Sequence, residues 1–376
     1  MAAALYIHIP FCLSKCPYCA FASCSGHQDL YQPYLTSVAR ELKFQAAACL
    51  GGPLKSIFVG GGTPTVLPVS GLAWLLEVCQ RIFPVECGAE ITVEANPGTV
   101  DQPYLEALLA AGVTRLSLGM QTLVQPELAA LGRSHTVDQA LAAFRAARAA
   151  GFVNINIDLM YGIPGQTPET WAVSLGHALS LAPDHCSLYQ LTVEPGTPLH
   201  CHLRDSTVKL PEEEEILEMD AITRLNTTIA GLGQYEIANY ALPGRRCRHN
   251  LNYWFNGDCF AAGAAAVSYH NGVRERRLAD PEEYIRRIGR GKTVVEDREE
   301  LSRETSFRET VIVGLRLVEG IERQRLSKRY GLDPLEYYGS TLARLITGGF
   351  LALAGDRLLI TDKGRPLSNQ IMAELV

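Results

Sequence analysis

The stretch LYIHIPFCLSKCPYCAFASC, residues 5–24, places four cysteines within thirteen residues of one another. Cys12, Cys16 and Cys19 follow a C-x3-C-x2-C spacing, which lets three thiolates converge on one soft metal centre. Three such ligands hold a 4Fe-4S cubane with one iron left open to an exogenous chelator. Structural zinc is the alternative, with Cys24 closing a tetrahedron, but the usual paired C-x2-C spacing is missing. Cys49, Cys79, Cys87, Cys186 and Cys201 read as ordinary buried thiols.

A loop of this kind needs a scaffold. Apolar runs recur at 5–9, 56–59, 90–95, 115–118, 153–159 and 185–191, separated for the most part by alanine- and leucine-rich helical stretches. Six β-then-α units imply a parallel sheet covered by helices, and six right-handed units curl towards a barrel. No seventh or eighth unit of the same kind follows, so the expected fold is α/β, an open partial (β/α)6 barrel over residues 1–200. Residues 201–300 read as an α+β extension. It opens with a helix that has Pro211 and acidic residues in its first turn and Gly231 at its end, and it goes on to QYEIANYA and RHNLNYW. Residues 301–376 change style to helices at 306–317, 322–330 and 334–347 and a hairpin in GFLALAGDRLLIT, the order of a winged helix. Its mixed charges favour a packing module over DNA binding.

The polar residues fall at matching places on these units. Cys12 follows the first strand, Gly61, Gly62 and Thr63 follow the second, and Glu94 ends the third. Gln121 follows the fourth strand and Asp158 lies near the end of the fifth. Parallel β/α folds place their sites at this C-terminal edge, so one composite site is expected.

Composition narrows the class of function. With 376 residues, 47% hydrophobic and 20% charged, the chain buries a large core, and its net charge of -6 offers no field to attract a polyanion. Nucleic acid is therefore not an expected partner. No apolar run is long enough to span a bilayer, and the residues ahead of the first strand are too few for a signal peptide. Eleven cysteines scattered over so long a chain fit a reducing cytoplasm better than a secreted disulfide framework.

YIHIPFCLSKCPYC, FVGGGTPT, TVEANP, RLSLGMQT, LGRSHT and DLMYGIPGQT, in that order, resemble the radical S-adenosylmethionine (SAM) proteins of the oxygen-independent coproporphyrinogen oxidase group. HNLNYW, residues 249–254, is similar to the haem-chaperone branch of that group. The resemblance covers nearly the whole chain. It implies that Cys12, Cys16 and Cys19 hold the cluster and that SAM chelates the open iron. An electron would then cleave the sulfonium to a 5'-deoxyadenosyl radical. It also implies that Glu94 meets the SAM ammonium, that Arg133 meets the carboxylate, and that Gln121 and Asp158 meet the ribose hydroxyls. Gly61, Gly62 and Thr63 would let backbone approach the methionine moiety, and Tyr6 matches a SAM-contacting tyrosine.

Two positions depart from the group's pattern. Ala20 stands where aspartate or cysteine is common, and Val267 stands where a histidine usually precedes Ser-Tyr, leaving His270 as the nearby substitute. In HNLNYW, His249 is suited to be an axial haem ligand, with Tyr253 and Trp254 stacking on the macrocycle. The other reading makes Tyr253 and Trp254 anchors for the C-terminal part and His249 a hydrogen-bonded core residue. The resemblance implies a haem chaperone that binds a 4Fe-4S cluster, SAM and haem, draws on an electron donor, and passes haem to an acceptor haemoprotein. The alternative is an oxygen-independent coproporphyrinogen III oxidase that decarboxylates propionates by the same radical.

Overall fold

The computed structural model describes residues 3–48 and 52–376; Cys49 lies outside the described residues. Six parallel strands form as the apolar runs require: β1 (Ala4–Ile9), β2 (Leu54–Gly61), β3 (Val85–Ala95), β4 (Arg115–Gln121), β5 (Ile155–Tyr161) and β6 (His185–Gln190). Each pairs with the next in chain order, and the helices Tyr31–Ala48, Val69–Ile82, Gln102–Ala110, Val137–Ala150 and Pro168–Ser180 make the crossovers. Start signals are written locally. Thr136 and Thr167 each close a capping box, and Asp101 accepts from Tyr104 N.

The period of two sorts the strand residues. Ile7, Val59, Val93, Leu116, Ile157 and Leu188 turn towards the helices and are buried. Their neighbours turn the other way, into the barrel. Register aligns the inward row: Glu94 stands beside Ser117, Ser117 beside Asn156, and Asp158 between Gly119 and Ser187. A slip of one residue in any strand would send these polar groups into the helical layer.

The sheet does not stop at six strands. Cys259–Ala262 pairs parallel with β1 on its free edge, followed by Val267–His270, Val273–Arg277 and Val295–Glu300 in antiparallel order. Asn239–Ala241 and Gly233–Gln234 extend the opposite edge beyond β6. The six-unit partial barrel is as expected, and the added parallel strand is not a seventh unit of the same kind. Four residues, all buried, carry no alternation by which a sequence reading could find Cys259–Ala262.

A buried ionic clasp fastens that added strand. Glu41, on the first crossover helix, accepts from Gly263 N at 3.0 Å, from Arg277 Nε at 2.9 Å and from the Tyr284 hydroxyl. Gly263 takes a positive φ of 103°, and a Cβ there would fall 2.5 Å from His8 O. Residues 3–294 share one apolar core, whereas 307–375 build a separate one from the helices Arg303–Gly314, Arg323–Tyr330 and Pro334–Thr347 and a three-stranded sheet. Among the thiols expected to be buried, Cys79 and Cys186 are so; Cys87, near the start of its strand, is exposed, and Cys201, on a short helix beyond the barrel strands, is half-buried.

Removing one partner of a buried ion pair strands the other charge. Glu41→Ala should therefore lower the unfolding free energy by about 3–5 kcal/mol, read as a lower denaturation midpoint in urea. An unchanged midpoint would show that the clasp does not hold the added strand.

Candidate functional site

The cysteine loop starts directly beyond β1. Phe11–Cys12 pairs with Cys24–Ser25, and Cys24 N donates to Pro10 O at 2.7 Å, so Cys24 closes the base of the loop. Lys15 Nζ crosses the loop to the carbonyls of Phe21 and Ser23, at 3.2 and 3.3 Å. Cys12, Cys16 and Cys19 line a cavity of about 330 Å³ at the C-terminal edge of the sheet, and Cys24 does not. Among the described residues no three histidine, cysteine, aspartate or glutamate side chains gather closely enough for a single ion.

The other residues expected at the site meet the same cavity: Gly61, Gly62, Thr63, Glu94, Gln121, Arg133 and Asp158 all line it. A Cβ on Gly62 would sit 2.6 Å from Phe11 O and 3.0 Å from Cys12 Sγ, so only glycine lets this edge approach the cysteine loop. Gln121 has a φ of 67° where β4 slips register against β5. Backbone in that region costs of order 1–3 kcal/mol, and here it turns the amide into the cavity. Arg133 donates from Nη2 to Gly119 O at 2.8 Å and reaches Cys16 Sγ from Nη1 at 3.6 Å, while its buried Nε has no partner.

Two carboxylates complete the wall. Glu94 Oε2 accepts from Gly61 N at 3.1 Å. Burial, and after it the Asp158 charge, push the Glu94 carboxyl up to about 8, against the pull of Gly61 N–H and Arg115. Asp158 accepts from Asn156 Nδ2 at 2.7 Å and Ser117 Oγ at 3.0 Å; its carboxyl is also raised by burial, which these hydrogen bonds oppose. The donor set fits the implied groups: three thiols for a cluster, an acidic wall for an ammonium and polar oxygens for hydroxyls, and a guanidinium for a carboxylate.

Sequence reading missed the floor beneath Asp158. Asn156 Oδ1 lies 2.6 Å from His185 Nδ1, whose Nε2 meets the Tyr235 hydroxyl at 2.9 Å. Ser117, Asn96 and Tyr189 also line the site or its approach. The available signal was polar residues at alternate positions of strands that parallel sheets normally make apolar throughout.

The other residues singled out in the sequence lie outside this cavity. Tyr6 does not line this cavity. It lines a second one with His8, Tyr253 and Trp254, and its hydroxyl lies 3.1 Å from His8 Nδ1, because residue 6 faces inward one pleat before the sheet edge. His249 is 1% exposed, with Nδ1 3.0 Å from Ser56 Oγ and Nε2 3.2 Å from the Tyr253 hydroxyl. Burial, then the Arg115 charge, hold it down to about 3. In this structure it stands as a hydrogen-bonded core residue. Glu90 draws its helix inside by accepting from Arg248 N and His249 N, each at 3.0 Å. Trp254 lies under the Arg316 guanidinium at 4.8 Å, and the next residue, Phe255, under Arg325 at 4.6 Å. Both arginines belong to the C-terminal part, so this segment anchors it. His270 sits beside Asp258 at 3.4 Å, outside the cavity that Val267 lines.

Comparison with known proteins agrees with this geometry. Residues 6–176 match the Radical SAM superfamily, and residues 301–367 match the HemN C-terminal domain. Heme chaperone HemW of Bacillus subtilis is 35% identical over 368 residues, 97% of each chain. The chain belongs to the HemW family. The Escherichia coli HemW is 33% identical over 374 residues, covering 98% of this chain and 96% of its own. The solved structure of coproporphyrinogen III oxidase (HemN) from Escherichia coli, a radical SAM enzyme, superposes with a TM-score of 0.87 at 24% identity, over 100% of this chain and 90% of that one. At that identity the likeness establishes the shared fold.

If Glu94 holds the SAM ammonium, as the resemblance implies, its carboxyl must be ionised, so each pH unit below its raised value should weaken SAM binding about tenfold. Titration of the reconstituted protein should show affinity rising from pH 6.5 towards about 8 and falling again above it, where the SAM amino group loses its proton. Glu94→Gln should bind weakly at every pH; a wild-type profile flat across this window would remove Glu94 from the ammonium site.

Proposed function

We propose that this HemW-family protein is a haem chaperone: it carries a 4Fe-4S cluster on Cys12, Cys16 and Cys19, binds SAM beside it, and passes haem to an acceptor haemoprotein. The observation that carries this reading is the reach of the match to heme chaperones, 97% of the chain, including the residues beyond the barrel. The decarboxylase reading rests on the likeness of fold and on the HemN C-terminal domain match over residues 301–367.

In this reading the SAM-bound cluster, once reduced by an electron donor, supplies homolytic cleavage of the sulfonium. The chain's own residues position the reactant. Glu94 takes the ammonium, and Arg133 takes the carboxylate from the side facing Cys16. Gln121 and Asp158 fix the ribose, with Asp158 oriented by Ser117 and Asn156. Gly61, Gly62 and Thr63 let backbone stand close to the methionine. No helix among the described residues is long and apolar enough to cross a membrane. The protein works in the cytoplasm, where free thiols persist.

Protein reconstituted anaerobically should contain iron and bind haem, yet leave coproporphyrinogen III unconverted with reductant and SAM present. Cys12→Ala, Cys16→Ala and Cys19→Ala should each lose the iron, and Cys24→Ala should keep it. Robust porphyrinogen turnover without haem binding would replace the chaperone by the decarboxylase.

A further inference from the structure

Beneath Asp158 the hydrogen bonds form a chain whose direction is fixed at every atom. Asn156 Nδ2 donates to Asp158 Oδ1 at 2.7 Å, and Ser117 Oγ donates to Asp158 Oδ2 at 3.0 Å. The second N–H of the same amide goes to Ser117 Oγ at 2.7 Å. Both N–H groups of Asn156 are thus committed at this corner, and its Oδ1 has to face the other way. There it accepts from His185 Nδ1 at 2.6 Å and from Ser187 Oγ at 3.2 Å.

An acceptor opposite Nδ1 leaves a neutral imidazole one arrangement, with the proton on Nδ1 and the lone pair on Nε2. Burial, and after it the Arg115 charge, hold His185 well below the usual histidine range, so the ring stays neutral. Nε2 therefore accepts, and the Tyr235 hydroxyl, 2.9 Å away, donates. The Tyr235 oxygen in turn accepts from Cys247 N at 3.3 Å. Asn156, His185 and Tyr235 are each 1% exposed or less, so solvent offers none of them a substitute partner.

The chain reaches beyond the units that build the pocket. His185 opens β6 and Tyr235 follows the helix Glu213–Ile229, both outside the residues 6–176 that match the Radical SAM superfamily. That helix, β6 and the C-terminal part wall a cleft of about 520 Å³, and Tyr189 lines both the cleft and the cysteine cavity.

We infer that His185 and Tyr235 are positioning residues for SAM: they lock the Asn156 amide with both N–H groups on the Asp158 corner, which keeps Asp158 an acceptor for the ribose hydroxyls. The inference rests on the reading that places the ribose on Asp158. Without the Nδ1–H donor only the longer Ser187 contact opposes turnover of the amide, which would set its oxygen against the carboxylate. Asp158 then swings away or takes up a proton, and either outcome weakens its hold on the hydroxyls.

The test measures binding of SAM and of its 2',3'-dideoxyribose analogue to the reconstituted full chain, so that the ratio of the two affinities reads the ribose contact. Asp158→Ala should abolish the wild-type preference for SAM. His185→Phe should cut that preference at least about fivefold while leaving analogue affinity and iron content as in the wild type. Tyr235→Phe should cut it less, and His185→Asn, whose amide N–H stands where Nδ1–H stood, should restore most of it. A wild-type ratio in His185→Phe, or equal weakening of both ligands, would reduce the histidine to a space-filling role and overturn the inference. Should His185→Phe fail to fold, Tyr235→Phe decides, and an unaltered ratio there overturns the inference as well. An unaltered ratio in Asp158→Ala would instead remove the ribose from Asp158, and the inference with it.

Discussion

Two half-buried carboxylates without a salt bridge among the described residues govern this structure. Glu94 and Asp158 look into one cavity, where their like charges repel and desolvation disfavours ionisation. A protein selected for stability alone would fill these positions with apolar side chains. They are tolerable because the surroundings supply partial compensation: Gly61 N–H to Glu94, Ser117 and Asn156 to Asp158, and the Arg115 charge below. What is still missing is a cation, and a ligand with an ammonium or sulfonium group completes the set. The strained backbone of Gln121 and the orphaned Nε of Arg133 follow the same rule, each a local cost offset only when something is bound.

Register is the device that gathers these groups. Glu94, Ser117 and Asn156 come from three strands far apart in the chain, yet they align because parallel strands with buried outer faces cannot slip. The clasp at Glu41 does the same at the free edge of β1. It ties the first crossover helix to a strand more than two hundred residues later, and so holds the strand from which the cysteine loop departs.

Much of this was legible in the sequence. The six strands, the edge on which their polar ends meet, and the ten residues from Cys12 to Asp158 that line the cavity follow from alternation, glycine placement and motif order. What failed did so for one reason: a residue type states its chemistry but not which way it faces. His249 has the chemistry of a ligand, yet Glu90, itself buried, pulls its helix into the barrel floor. Tyr6 is one pleat short of the cavity its family role required. Cys259–Ala262 is too short and too uniformly apolar to declare its strand. The cleft beside Tyr189 is built from three distant segments, so no local pattern foretells it.

The seam between barrel and C-terminal part differs in kind from both interiors. It is held by Arg316 on Trp254, Arg325 on Phe255, and Arg329 donating to the carbonyls of Phe255 and Asn256 at 3.1 and 2.8 Å. Cation–π contacts near solvent contribute roughly 0.5–1 kcal/mol each, far below what either apolar core supplies. Local opening of a fold follows its least stable boundary. In this molecule that boundary borders the cleft beside Tyr189, because Arg316 belongs to both: it grips the anchoring Trp254 and faces the cleft at the same time.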